Sequence, residues 1–155
     1  MTNITPMEIA IKQAQKGYTN DEVPIGAVVV GSDGKVISKA YNKREKSQNA
    51  LLHAEIIAID KACKKLNSWR LDNCSIYVTL MPCPMCAGAI LNARIKTLYV
   101  GALATNDCQN LCEKILSDGV RLNHKTNIVF MLDDRCKNLI QNYFKDKRKE
   151  KWYER

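Results

Sequence analysis

The chain predicts an α/β fold, a sheet with helices packed on both of its faces. Two observations predict it. Short apolar, β-branched runs alternate with segments of helical period, in the order strand, helix, strand, helix, strand once an opening helix and a strand pair have passed. That order calls for parallel strands with crossover helices. The length, 155 residues with 46% hydrophobic side chains, also suffices for one domain, 1–155, with a real core.

The first helix is predicted from Thr5-Pro6-Met7-Glu8: Thr5 can cap, Pro6 suits the first turn, and Glu8 completes a capping box. Ile4, Met7, Ile11 and Ala14 recur at helical spacing, and Gly17 can end the helix. Val23 to Val30 reads as a central strand, apolar on both faces, with Gly26 allowing a close approach to its backbone. Gly31-Ser32-Asp33-Gly34 turns it into a second strand, Lys35 to Ala40. Asn42 to Ala50 is polar and reads as a loop. A helix is predicted from about Ala50 to Leu66, with Leu52, Ile56, Ile59 and Cys63 as its apolar stripe. Ser75 to Leu80 is a third strand, and Pro84 starts another helix. Lys96 to Val100 is a fourth strand, Gly101 to Asn110 a loop, and Leu111 to Asp118 a short helix. Asn127 to Leu132 is a fifth strand. A last helix runs from Asp133 to about Lys149, with Cys136, Leu139, Ile140 and Tyr143 inward.

Composition narrows the function classes. No apolar stretch of about 18 residues or more exists, so no membrane span is expected. The polar start, Met1 to Pro6, lacks the apolar centre of a signal peptide, which points to the cytoplasm. Seven cysteines, an odd number, argue against a disulfide framework, and Cys63, Cys74 and Cys136 lie in apolar patterns as small core residues. The net charge of +8 suits a polyanionic partner such as nucleic acid. The tail from Lys145 interleaves basic residues with Phe144, Trp152 and Tyr153, a pattern that fits single-stranded nucleic acid.

The chemistry lies in two stretches, His53-Ala54-Glu55 and Pro82-Cys83-Pro84-Met85-Cys86. One His and two Cys hold Zn²⁺ and leave the fourth tetrahedral position open, as in a working site. Glu55 is the proton carrier for a zinc-activated water. On a helix His53 and Glu55 stand about 200° apart, so they converge only on a point beyond the helix N-terminus. A lone Cys-x-x-Cys also fits half a zinc ribbon or a redox pair. His-x-Glu followed about thirty residues later by Pro-Cys-x-x-Cys is the signature of the zinc-dependent nucleobase deaminases.

With these motifs the chain resembles the bacterial tRNA adenosine deaminases, from about Met7 to Lys149. The matching segments include Glu22-Val23-Pro24-Ile25-Gly26-Ala27, His53-Ala54-Glu55-Ile56, Trp69-Arg70-Leu71, Met85-Cys86-Ala87-Gly88-Ala89-Ile90 and Leu122-Asn123-His124. The resemblance implies the cytidine-deaminase-like fold, three layers α/β/α around a five-stranded mixed sheet. It implies a homodimer, a tRNA anticodon loop as partner, and conversion of the wobble adenosine to inosine. It places Asn42 in the base pocket and Pro24, Ile25, Asn123 and Phe144 near the anticodon loop. His124 reads as structural.

Three departures from the family pattern bear on the substrate. Met81 replaces the usual Glu before Pro-Cys. Cys83-Pro84-Met85-Cys86 is the form found in the similar guanine deaminases. Gly101-Ala102-Leu103-Ala104-Thr105 lacks the usual polar residue at Ala104 and the glycines beyond it. These favour a rival reading, deamination of a free base or nucleoside such as guanine or cytosine. A third reading, a zinc-stabilised RNA-binding module without catalysis, leaves Glu55 without a task.

Overall fold

The computed structural model describes residues 3–118 and 122–153. The side chain of Tyr153 and the final two residues of the basic tail lie outside the described part. In chain order the elements are α1 (Pro6–Thr19), β1 (Gly26–Val30), β2 (Val36–Tyr41), α2 (Arg44–Ser47), α3 (Ala54–Leu66), β3 (Ser75–Val78), α4 (Pro84–Asn92), β4 (Thr97–Val100), α5 (Asn106–Asp118), β5 (Asn127–Phe130) and α6 (Asp134–Tyr153).

The five strands form one mixed sheet in the order β2-β1-β3-β4-β5. β1 runs antiparallel to both β2 and β3, while β3, β4 and β5 are parallel. The carboxyl ends of β2, β3, β4 and β5 and the amino end of β1 therefore share one pole of the sheet. Pleating sends alternate side chains to opposite faces. Ala27, Val29, Ile76, Val78, Leu98 and Val100 meet α3, α4 and α5 on one face, in the larger core. Val28 and Val30 meet Met7, Ala10 and Ile11 of α1 and Cys136 of α6 on the other.

The capping box at Thr5 and Glu8 is present, with Pro6 in the first turn of α1. Gly26 serves packing: a Cβ there would lie 1.9 Å from the Ala10 carbonyl oxygen, so α1 sits directly on this strand. The hairpin and every predicted strand exist, four of them trimmed at one end and β2 shifted one residue later than expected. Three expectations are corrected. The buried stripe of α3 is Ala54, Ala58 and Ala62 with Glu55, and Ile56 and Ile59 are only half-buried. Small side chains let that helix lie close to β1 and β2, leaving no depth for isoleucine. The Asn42–Ala50 loop holds the single turn α2, and Gln48 ends it in the left-handed region at φ 48°. The loop after β4 ends early: α5 begins at Asn106 rather than Leu111, on polar residues that carry no apolar signal.

Candidate active site

Two helix starts face one another at the shared pole. His53 is the N-cap of α3, with extended backbone at φ −73° and ψ 153°. Cys83 is the N-cap of α4, with Pro84 and Cys86 in its first turn. Neither cap side chain bonds its own helix, so both are free to point off the helix ends. His53 Nδ1 lies 3.6 Å from Cys83 Sγ and 3.5 Å from Cys86 Sγ. All three ligand atoms fall within 4.8 Å of one another. This triangle of one imidazole and two thiols could hold a metal ion.

Glu55 sits beside it in the first turn of α3, 2% exposed. Its Oε2 has no hydrogen-bond partner. A buried orphan oxygen is costly, and this one fits a site in which a water on a metal supplies the missing donor. Burial pushes the Glu55 carboxyl up to about 7, helped by the charge on Cys83 and opposed by His53. The Cys83 thiol is pulled down to about 5, chiefly by its hydrogen bond from Cys86, with the amides of Cys86 and Met85 and His53 assisting. Cys86 is pushed up by that same bond, by burial and by the charge on Glu55. Two thiols sharing a proton at a helix start, where the dipole favours anions, are poised to bind a cation.

Asn42 follows β2 to the same pole and is buried. Its Oδ1 accepts the Ala54 N–H at 2.7 Å, giving α3 the cap bond that His53 does not make. That bond engages the Asn42 oxygen and leaves its Nδ2 hydrogens as the donors. Ile25 is half-buried beside it, its carbonyl accepting the Asn42 N–H at 3.4 Å. Pro24 is buried. Phe144 is exposed on α6, edge-to-face with Tyr143. Asn123 is exposed at φ 50°, just ahead of β5, and so at the opposite pole of the sheet. One chain thus brings together His53, Glu55, Cys83, Cys86, Asn42 and Ile25, and leaves Asn123 apart. His124 is structural: its Nε2 lies 2.9 Å from the Ile95 carbonyl oxygen.

The departures from the family pattern also have places. Met81 is buried in the larger core, its N–H donating to the Ala102 carbonyl at 2.8 Å. Ala104 is half-buried, its N–H donating to Gln109 Oε1. With Leu103, Leu132 and Ile140 it lines an open cavity of about 690 Å³ between the 101–105 loop and α6. Cys108 and Cys112 lie one turn apart on α5, sulfurs 3.9 Å apart, and burial pushes Cys112 up to about 12. Glu22 is the residue that sequence reasoning missed. It is buried, and its carboxylate accepts the Glu45 and Lys46 N–H groups at 3.1 and 2.7 Å. Glu45 and Lys46 are 23 and 24 positions away, and no local pattern announces that contact.

A buried, unpartnered carboxyl beside a triangle of three possible metal ligands is the arrangement a nucleobase deaminase requires and a structural metal site does not. The chain belongs to the MafB19-like deaminase family, whose family model matches residues 2–148, and it is similar in sequence to proteins named tRNA-specific adenosine deaminase. The relative from Bacillus subtilis (strain 168) of that name is 41% identical over 147 residues, spanning 94% of this chain and 90% of that protein. A solved structure from a study of A-to-I editing by tRNA:A34 deaminases at the wobble position superposes with a TM-score of 0.76 at 34% identity, covering 86% of this chain and 97% of that one. The guanine deaminase of Bacillus subtilis superposes with a TM-score of 0.61 at 38% identity, over 71% of this chain and 70% of that one.

Proposed function

We propose that the protein hydrolyses the wobble adenosine of a tRNA anticodon to inosine, releasing ammonia. One observation carries the reaction: Glu55 is buried with an unpartnered oxygen against the His53-Cys83-Cys86 triangle. The substrate rests on the relatives and on the net charge of +8. The donor set suits one Zn²⁺ per subunit, which when bound would lower the pKa of a water toward neutrality. Glu55 takes the proton from that water and hands it to the ring nitrogen beside the carbon bearing the amine. The water oxygen bonds to that carbon, Glu55 carries the proton left on it to the amine, and the carbon–nitrogen bond breaks with release of ammonia. Asn42 holds the base by donating from Nδ2, since its oxygen is engaged by Ala54. Ile25 supplies an apolar wall. Phe144 and the exposed basic residues of α6 meet the loop through stacking and phosphate contacts.

A second copy of the chain completes this reading. Asn123 stands at the pole away from the zinc ligands, so it meets the same RNA only from a partner subunit. α4 carries no charged residue along its whole length, Gly88 faces open space, and Met85 and Ala89 are half-exposed. A helix apolar all round is normally covered, and the half-exposed Ile56 and Ile59 of α3 extend that surface. No helix among the described residues is long and apolar enough to cross a membrane, and an enzyme acting on tRNA would work in the cytoplasm.

Incubation with an anticodon stem-loop carrying adenosine at the wobble position should yield inosine. Glu55→Gln should lower that rate by about 10²–10⁴-fold while retaining the metal. Near-normal turnover by that variant would overturn the role of Glu55. A specific observation favours a second reading: Pro84 stands between the two cysteines of the triangle in the first turn of α4, Ala104 lines the open cavity after β4, and the guanine deaminase shares much of the fold. Xanthine from free guanine, without inosine in the stem-loop, would establish it instead.

A further inference from the structure

We infer that Glu22 is a positioning residue for the base pocket, its buried carboxylate holding the 43–52 segment so that Asn42 faces the metal-binding triangle. This rests on the reaction proposed above. Glu22 is 1% exposed and, among the described residues, has no ion-pair partner. Its two oxygens are instead engaged by consecutive backbone amides, Glu45 N–H to Oε2 at 3.1 Å and Lys46 N–H to Oε1 at 2.7 Å. Those amides open α2, and Lys43, the N-cap of that turn, makes no side-chain cap bond. Glu22 thus supplies, from another part of the chain, the cap that α2 lacks.

The fixed turn has a consequence at the site. The Lys43 N–H donates to the Leu52 carbonyl at 3.0 Å, so the segment closes on itself immediately before His53. Asn42 and His53 stand at the two ends of that closed loop, and Asn42 Oδ1 caps α3 through Ala54. Turning α2 by loss of its cap would swing both ends. A carboxylate buried without a cation is poorly used for stability, because desolvation offsets much of what it gains. Its value lies in geometry: two acceptor oxygens meet two adjacent donors, a task that an amide, with one acceptor and one donor group, performs only by half. Glu22 also lies next to Asp21, which pairs with Lys147 of α6 at 2.5 Å. The α1–β1 corner therefore holds the base pocket and the basic helix in one register.

The test is a double-mutant cycle of Glu22→Gln with Asn42→Ala, scored with the stem-loop substrate on metal-loaded enzyme. Glu22→Gln alone should lower kcat/KM about tenfold or more, the effect of losing a charge-assisted hydrogen bond, with bound metal unchanged. In the Asn42→Ala background the same substitution should cost under about threefold, since the effect passes through Asn42. Hydrogen exchange supplies a readout independent of activity: the Glu45 and Lys46 amides should lose protection in Glu22→Gln. Glu22→Asp, which keeps the charge one methylene short, serves if the Gln variant does not fold, and the same pattern is expected. Full activity in Glu22→Gln, or losses that simply multiply with Asn42→Ala, would overturn the inference. A wild-type enzyme that forms no inosine would sink the proposed reaction instead, and the exchange of the two amides would still decide the contact.

Discussion

The two sides of the reactive pole are built differently. On the side of β1, β2 and β3, Glu22, Asn42, Glu55, Met81 and Cys86 are buried around the site, and His53, Cys83 and Ile25 are half-buried. On the side of β4 and β5, the rim is loose and apolar. Leu103 and Leu132 are exposed and line the open cavity, and Leu111 of α5 and Val129, Phe130 and Met131 of the β5 edge are exposed as well. The first side preorganises charges and proton carriers, which act strongly only when water is excluded and the groups cannot move. The second side has surface to cover and little fixed polarity, as expected of a face that meets something larger. If the proposed function holds, chemistry and recognition divide along the sheet, and the family departures at Ala104 and beyond fall on the side assigned to recognition.

Three experiments would break or sharpen this division. Gly26→Ala should have the largest effect on folding. Its Cβ would lie 1.9 Å from the Ala10 carbonyl oxygen and 2.8 Å from the Ala14 nitrogen, both backbone atoms that cannot yield cheaply. Urea unfolding should show a loss of about 3 kcal/mol or more. A stability near wild type would mean that the closely packed side yields more readily than its geometry indicates.

The second concerns Glu55 in metal-stripped protein. Its folded pKa is raised from 4.5 to about 7, so the native state binds a proton more tightly than the unfolded chain does. Its contribution is favourable at low pH and is lost as pH rises from 4.5 through about 7. At pH 8 the buried carboxylate should cost about 3 kcal/mol. Metal-stripped Glu55→Gln should accordingly melt above metal-stripped wild type at pH 8, with the gap shrinking several-fold by pH 5. Equal melting at both values would show that the pocket admits water.

The smallest effect should come from the other side of the pole. Ala104→Asn places a polar group at the rim, at a half-buried position on the margin of the larger core. Stability should stay within about 0.5 kcal/mol, and KM for the stem-loop should fall a few-fold with kcat unchanged. A change in kcat of similar size would place the 101–105 loop with the chemistry and dissolve the division.

Much of this was legible in the residues themselves. The capping box at Thr5, the Gly-rich hairpin turn and Pro84 are local signals, and each element they predict exists. The placing of His53 and Glu55 at a helix start was legible from the motif, but the helix begins at Ala54 rather than about Ala50, and His53 is its extended N-cap rather than a residue of its first turn. Other features were not legible, because they depend on what a residue meets. The isoleucines of α3 suggest a core stripe, but the close approach of the sheet selects the alanines. The turn α2 has no cap of its own, since Glu22 supplies it from across the fold. The chain order of strands does not reveal that β1 inserts between β2 and β3 in the opposite sense. Asn123 carries a family likeness in sequence, yet its pole is a property of topology.

The far end of α6 is held by exposed charges. Asp21 and Glu150 flank Lys147, and Tyr18 donates to Asp146. Ionic strength therefore acts twice on a polyanion bound there. Salt displaces the polyanion by restoring counterions to its phosphates, and it also screens the surface pairs that aim the helix. The slope of log affinity against log salt would then exceed the value set by phosphate contacts alone, and a count of contacts taken from it would be too high by the share that belongs to the protein's own clamp.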